Sequence, residues 1–127
     1  KGFFRNIPFS EKTFPLLPPV LYFSLFQNPR IAFSIPFPFP RALPWIMTAI
    51  LFGVGIALLR LNTRHRHLFA PLAMILAGGF SNTVDHFTES FTIDYLHIPP
   101  ISFFNIADIL ISIGILQLFF QKRRRKT

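Results

Sequence analysis

The sequence predicts an all-α polytopic membrane protein with three transmembrane helices and a small extracytoplasmic β element. A fourth, N-terminal helix is expected upstream of residue 1. Three observations carry this expectation. Of the 127 residues, 51% are hydrophobic, 18 are Phe, and only 14% are charged. A soluble domain carries about 25% charged residues, so the charge here is too sparse to coat a water-exposed surface. Three apolar stretches approach the roughly 17 to 25 residues that a bilayer requires. The basic residues gather beside those stretches, as the positive-inside bias predicts.

Residues 1–40 come first, and eight of the 12 prolines lie between positions 7 and 40, which excludes a long helix there. The runs "VLYFSLF" (20–26) and "IAFSI" (31–35) are rich in aromatic and β-branched residues around "QNPR" (27–30), and predict two short strands about a turn. "PFPFP" (36–40) reads as a linker, and no internal repeat is found. Span one is 42–59, bracketed by Arg41 and Arg60, with Pro44 and Trp45 suited to a first turn at an interface. Span two is 68–84, with Pro71 early and "GGFSNT" (78–83) at its far end. Span three is 101–120, and a basic tail, 121–127, closes the chain.

The segment "RLNTRHRH" (60–67) and the terminal "QKRRRK" (121–126) are both expected to be cytoplasmic. Residues 1–40 and the loop around 85–100 then share the outer face. An unanchored outer segment of that length is unusual, residue 1 is Lys rather than Met, and no charged stretch leads into an apolar signal core. A missing upstream helix is therefore expected, and residues 1–127 are read as a single membrane-embedded domain. The net charge of +8 sits in two clusters that abut apolar runs, which argues against nucleic acid as a partner. Without Cys, disulfides, thiolate catalysis and Cys-based metal sites are excluded.

The outer side collects the polar groups Asn82, Asp85, His86, Glu89, Asp94, His97, Asn105 and Asp108. Four of the five acids fall within 24 residues of each other. Asn105, Asp108 and Ser112 are spaced i, i+3, i+7 and share one helical face of span three. Counted from the start of that span, Asp108 is expected about two turns in, roughly 10 Å deep. An acid at such a depth costs roughly 3 kcal/mol when ionised at the centre, and marks a functional site by default. Asp94, in "TIDYL" (92–96), is its natural partner. Two carboxylates brought together in a low-dielectric site share a proton, so one serves as base toward water and the other as acid toward the scissile amide. Three other uses of these groups compete: packing, an ion site, or a metal centre built from Asp85, His86, Glu89 and His97. No His-Glu-x-x-His motif supports the metal. His65 and His67 read as part of the basic loop, and Asn28 as a turn residue.

Four blocks in order resemble those of the lipoprotein signal peptidase (signal peptidase II) family of bacterial membrane aspartyl peptidases. "QNPRIAFS" (27–34) is similar to the family's Arg-Asn-Thr-Gly-Ala-Ala-Phe-Ser. Ser81-Asn82 to Asp85-His86 is similar to Gly-Asn-x-x-Asp-Arg, and Thr92-Ile93-Asp94-Tyr95 to Val-Val-Asp-Phe. Phe104-Asn105-Ile106-Ala107-Asp108 is similar to Phe-Asn-x-Ala-Asp. The resemblance covers nearly the whole chain.

It implies four transmembrane helices, an extracytoplasmic β-cradle, and cleavage of prolipoproteins before the lipid-modified Cys. Asp94 and Asp108 would be the catalytic dyad, with Asn28, Asn82, Asp85, His86 and Asn105 as substrate-binding or supporting groups. No metal or other cofactor is implied. Partners would be the lipid-modified prolipoprotein and membrane lipids, for a monomer in the bacterial inner membrane with its site on the extracytoplasmic face. Lys1 would match a family Lys whose partner Asp lies upstream. The chain departs from the family at Pro29 and Arg30 in the turn, at Ser81 for Gly, and at His86 for Arg. His86 keeps a donor but loses a permanent bidentate charge. The competing expectation is a non-catalytic polytopic membrane protein, a transporter or assembly subunit, in which Asp108 serves packing or proton binding. The two differ in whether Asp94 and Asp108 converge.

Overall fold

Proline decides where the first helix starts. In α1 (Leu43–Leu59) Pro44 occupies the first turn, where its missing N–H removes no helical bond. The helix stops at Arg60, whose N–H bonds back to the carbonyl of Ile56 at 3.0 Å. Asn62 then turns the chain: its side-chain oxygen accepts from the Arg64 N–H at 3.1 Å, and a 3-10 turn, Thr63–Leu68, leads into α2 (Phe69–Glu89). That helix ends at Ser90, which takes the left-handed conformation (φ 63°) common just past a helix. The computed structural model describes residues 13–29, 36 and 38–124, with the backbone alone for 122–124.

The other elements are β1 (Phe14–Leu17), β2 (Leu21–Asn28), β3 (Thr92–Ile98), β4 (Ser102–Phe104) and α3 (Ile106–Arg124). The strands form one antiparallel sheet in the order β1-β2-β3-β4. In the β2–β3 pair, Tyr22 lies opposite His97 and Phe23 opposite Leu96, but Phe26 lies opposite Asp94. Two residues of β2, Ser24 and Leu25, thus face the single residue Tyr95, which is a β-bulge. Beyond it Gln27 pairs with Ile93 and Asn28 with Thr92.

Small residues let the helices approach closely, the usual device where lipid gives no hydrophobic drive between them. A Cβ at Gly78 of α2 would collide with the carbonyl oxygen of Ala107 in α3 and lie 2.9 Å from Ile111 Cγ1. On the other face, a Cβ at Gly79 would lie 2.5 Å from Leu51 Cδ2 of α1.

Burial runs opposite to that of a water-soluble protein. Among the described residues the buried apolar side chains are Leu43, Pro71, Ile93 and Ala107, whereas Asn28, Asn82, Thr83, Asp85, His86, Thr92, Asp94, Asn105 and Asp108 are all buried. Large apolar groups such as Trp45, Phe52, Leu59 and Phe69 point outward.

This architecture corrects the expected fold class. The protein is not an all-α bundle of three membrane spans, because a four-stranded sheet is an integral layer of it. Among the described residues only the helical stretch Thr63–Glu89 is long and apolar enough to cross a membrane. Helix α1 has 17 residues between its proline-marked start and Arg60. The third segment is shorter than expected because Ser102–Phe104 is spent on β4, leaving Ile106–Gln121 as its apolar helical part. The outer loop around 85–100 is helix and strand instead: α2 continues to Glu89, and β3 follows. The expected strand at 20–26 is present as β2, but it pairs with β1 and β3. The expected strand at 31–35, together with Lys1 and Arg30, lies outside the described residues.

Candidate active site

The site is assembled where β2, β3, the end of α2 and the start of α3 meet. Asn105 is the residue before α3, and its Oδ1 accepts from the Asp108 N–H at 3.1 Å while its own N–H donates to Asp108 Oδ2 at 3.4 Å. This is the reciprocal arrangement of a capping box, with Asn105 as the cap and Asp108 at the third helical position. Asp108 is therefore in the first turn of α3, not two turns in as the sequence suggested, because the helix begins at Ile106 rather than near 101. The N-terminal end of a helix favours a negative charge, which lowers the cost of placing a carboxylate there.

Each aspartate is held by side-chain amides. Asp108 Oδ1 accepts from Asn82 Nδ2 at 2.7 Å. Asp94 Oδ2 accepts from Asn28 Nδ2 at 2.7 Å, and its Oδ1 from Asn105 Nδ2 at 2.8 Å. The same Asn105 nitrogen lies 3.3 Å from Asn82 Oδ1 and 3.4 Å from the Ile93 carbonyl. Asp94 and Asn105 are 0% exposed, Asn28 1% and Asp108 2%, so these bonds form away from water. Charge-assisted bonds of this kind are stronger than neutral ones and offset part of the desolvation cost.

The sheet explains why Asn28 reaches Asp94. Asn28 lies opposite Thr92, and Thr92 and Asp94, two apart on β3, share a face. Asp85 acts one step away: its Oδ2 accepts from the Ile93 N–H at 3.4 Å, tying the last turns of α2 to the strand that carries Asp94.

The structure thus brings Asn28, Asn82, Asp94, Asn105 and Asp108 into one hydrogen-bonded group, with Asp85 beside it. His86 is buried one residue further along α2 and lines a cavity on the side of α1. Ser112 turns its hydroxyl back to the Asp108 carbonyl at 2.8 Å. Asp85, His86, Glu89 and His97 do not assemble as a ligand set: among the described residues no three His, Asp or Glu side chains converge. His97 instead stacks on Phe103, with ring centroids 4.1 Å apart.

Two contributions were not anticipated. The Tyr95 hydroxyl accepts from the Ile106 N–H at 3.2 Å, satisfying a free donor at the start of α3 and joining it to β3. Asn105 also links both aspartates at once, a role that its one-face spacing with Asp108 did not reveal. The signal for the first was a Tyr directly after Asp94. For the second it was the Asn-x-x-Asp spacing of a capped helix start.

Comparison with known proteins extends the picture. Residues 2–122 match the family model described as signal peptidase (SPase) II. The lipoprotein signal peptidase of Microcystis aeruginosa is 34% identical over 111 residues, covering 84% of this chain and 70% of that protein. The lipoprotein signal peptidase of Trichormus variabilis is 34% identical over 110 residues, covering 84% of this chain and 69% of its own. A solved bacterial membrane enzyme, determined by the in meso method at 2.3 Å resolution, shares the fold with a TM-score of 0.83 at 18% identity. That likeness covers 91% of this chain and 73% of the other.

Proposed function

The chain belongs to the signal peptidase II family, and from that premise we propose that it is an aspartyl endopeptidase with Asp94 and Asp108 as its catalytic pair. It is a membrane protein and a protease that removes signal peptides from prolipoproteins. The finer reading is cleavage before the lipid-modified Cys, by a monomer in contact with membrane lipids. The whole described chain then acts as one peptidase domain.

The single observation that carries the aspartyl reading is the convergence of both carboxylates on Asn105. A pair held this way works by general acid–base catalysis. The ionised aspartate takes a proton from a water as that water's oxygen attacks the scissile carbonyl carbon. The protonated one donates its proton as the tetrahedral intermediate collapses, and the C–N bond breaks to release the amine. The carboxylic acid and the carboxylate exchange roles over one cycle, so no net proton is consumed at the pair. Asn28, Asn82 and Asn105 keep both carboxyl groups oriented, so little reorganisation is required as charge moves.

The site's surroundings support an extracytoplasmic location in the inner membrane. The network lies at the end of α2 and the start of α3, whereas the basic segment 60–67 lies at the other end of α2. Across the 13 residues from Phe69 to Asn82 a helix rises roughly 20 Å. Basic residues favour the cytoplasmic side.

The test is processing of a prolipoprotein bearing a diacylglyceryl-Cys by the full-length protein in membranes. Asp94→Asn and Asp108→Asn should each abolish release of the signal peptide while leaving the protein folded. Continued processing by either variant would remove that residue from the catalytic pair.

A further inference from the structure

We propose that the turn between α1 and α2 holds a binding site for an anionic phospholipid, with Arg66 as the residue that receives the headgroup phosphate. The site lies at the end of α2 remote from the aspartates, and it does not depend on catalysis. A cavity of about 770 Å³ is present there, lined by Leu58, Leu61, Asn62, Thr63, Arg66 and Phe69. Its size falls within the roughly 300–1,000 Å³ of small-molecule sites. Leu58 belongs to the last turn of α1, Thr63 and Arg66 to the 3-10 turn, and Phe69 is the first residue of α2.

The lining is split by chemistry. Leu58, Leu61 and Phe69 make it apolar in part, and Phe69 is left 57% exposed. Arg66, Asn62 and Thr63 supply the polar part. The Arg66 guanidinium only donates, and the Thr63 hydroxyl can donate or accept. Asn62 Oδ1 already accepts from the Arg64 N–H at 3.1 Å and lies 2.9 Å from His65 Nδ1, so its Nδ2 donors are what Asn62 offers a ligand. The carbonyls of Leu58, Asn62 and Arg66 are also in use, receiving the N–H groups of Leu61, His65 and Phe69. The matching ligand joins an acceptor-rich anion to an apolar chain, as a phospholipid joins its phosphate to its acyl chains.

Charge selects the kind of phospholipid. No Asp or Glu lies between residues 12 and 84. The described acids, Asp85, Glu89, Asp94 and Asp108, all lie toward the other end of α2. Arg60 and Arg64 flank the lining residues in sequence. Gln121 Nε2 donates to the His67 carbonyl at 3.0 Å, which docks the end of α3, where the basic run of the sequence begins, on the same turn. This surplus of positive charge favours a net-negative headgroup over a zwitterionic one, whose cationic group finds no carboxylate.

The experiment uses the full-length protein in neutral detergent and reads the Kd of the first bound lipid by native mass spectrometry. The lipid probes are phosphatidylglycerol and phosphatidylcholine, and the competitors are inorganic phosphate and a hexaglutamate peptide. Phosphatidylglycerol should bind about tenfold more tightly than phosphatidylcholine, and Arg66→Gln should remove most of that preference, because a charged hydrogen bond is lost. Arg64→Gln removes the same charge from the same turn but not from the cavity lining. At about 0.15 M salt it should weaken binding by about threefold or less. Neither competitor should displace the lipid. In a second measurement, phosphatidylglycerol carrying a photoactivatable diazirine in its acyl chain should label Leu58, Leu61 or Phe69 of the unsubstituted protein.

Equal affinity for the two lipids overturns the inference. So does an equal loss in Arg64→Gln and Arg66→Gln, which would mean a diffuse basic surface. Displacement by phosphate or hexaglutamate also overturns it, because the apolar lining would then contribute nothing. Should Arg66→Gln not fold, the labelling decides, and label found only away from this turn overturns the inference.

Discussion

Asn105 and Asp108 satisfy each other: the side chain of Asn105 accepts the Asp108 N–H at 3.1 Å, and the carboxylate of Asp108 accepts the Asn105 N–H at 3.4 Å. The same few atoms therefore start a helix and orient one of the two aspartates proposed as the catalytic pair. Stability and activity are coupled at this point, but they can be separated because different atoms of Asn105 carry each.

Asn105→Ser should make that separation. Serine is a good helix cap, so the thermal midpoint should fall less than in Asn105→Ala, the remaining loss coming from the donor removed from buried Asp94. It cannot span to Asp94, so kcat should fall on the order of a hundredfold. Asn105→Ala should lose both, with about 1–2 kcal/mol of stability removed. A Ser variant with full activity would show that the link to Asp94 is dispensable.

Gly78→Ala should damage both packing and catalysis. The new methyl would strike the Ala107 carbonyl, which is backbone and cannot swing aside, one residue before Asp108. Overpacking of this kind costs about 1–3 kcal/mol. Gly79→Ala meets only the end of the Leu51 side chain at 2.5 Å, which can rotate away. Thermal melting and kcat, measured together, should rank Gly78→Ala well below Gly79→Ala, and equal effects would refute the argument.

Asp85 should behave as a positioning residue. Asp85→Asn keeps an oxygen acceptor for the Ile93 N–H and should retain substantial activity. Asp85→Leu leaves that buried donor unsatisfied, at a cost of about 1–3 kcal/mol, and frees β3 to shift relative to α2. Processing rates for the two variants, compared at matched folded fraction, would check this. Complete inactivity of the Asn variant would instead point to a need for charge at that position.

Much of the site was legible in the sequence, and for a physical reason. Buried acids are costly in an apolar chain, so Asp94 and Asp108 stood out, and the amides able to satisfy them are few. Their depth was not legible, since "ISFF" (101–104) is as apolar as a helix start and only tertiary pairing with β3 makes it a strand. The proline-rich segment hid β1 for a similar reason: Pro15 is tolerated in a strand only because β1 is at the sheet's edge. The turn between β3 and β4, at Pro99-Pro100, was not expected, nor was the strand on either side of it. Membrane spans were overcounted because an apolar run does not reveal how many of its residues a strand takes, as Ser102–Phe104 do in β4.

The bulge at Ser24 and Leu25 gives β2 a bend. Upstream of it the strand keeps one parity with β3, and downstream the other, and Asn28 belongs to the second. Removing Ser24 or Leu25 would make the pairing one to one and keep Asn28 opposite Thr92, so the bulge supplies the local bend and twist of β2 rather than the side of the sheet on which Asn28 lies. Exchanging Ser24 or Leu25 for another residue leaves the count intact. In this strand the extra residue sets curvature, and its deletion should disturb processing less than loss of the Asn28 amide does.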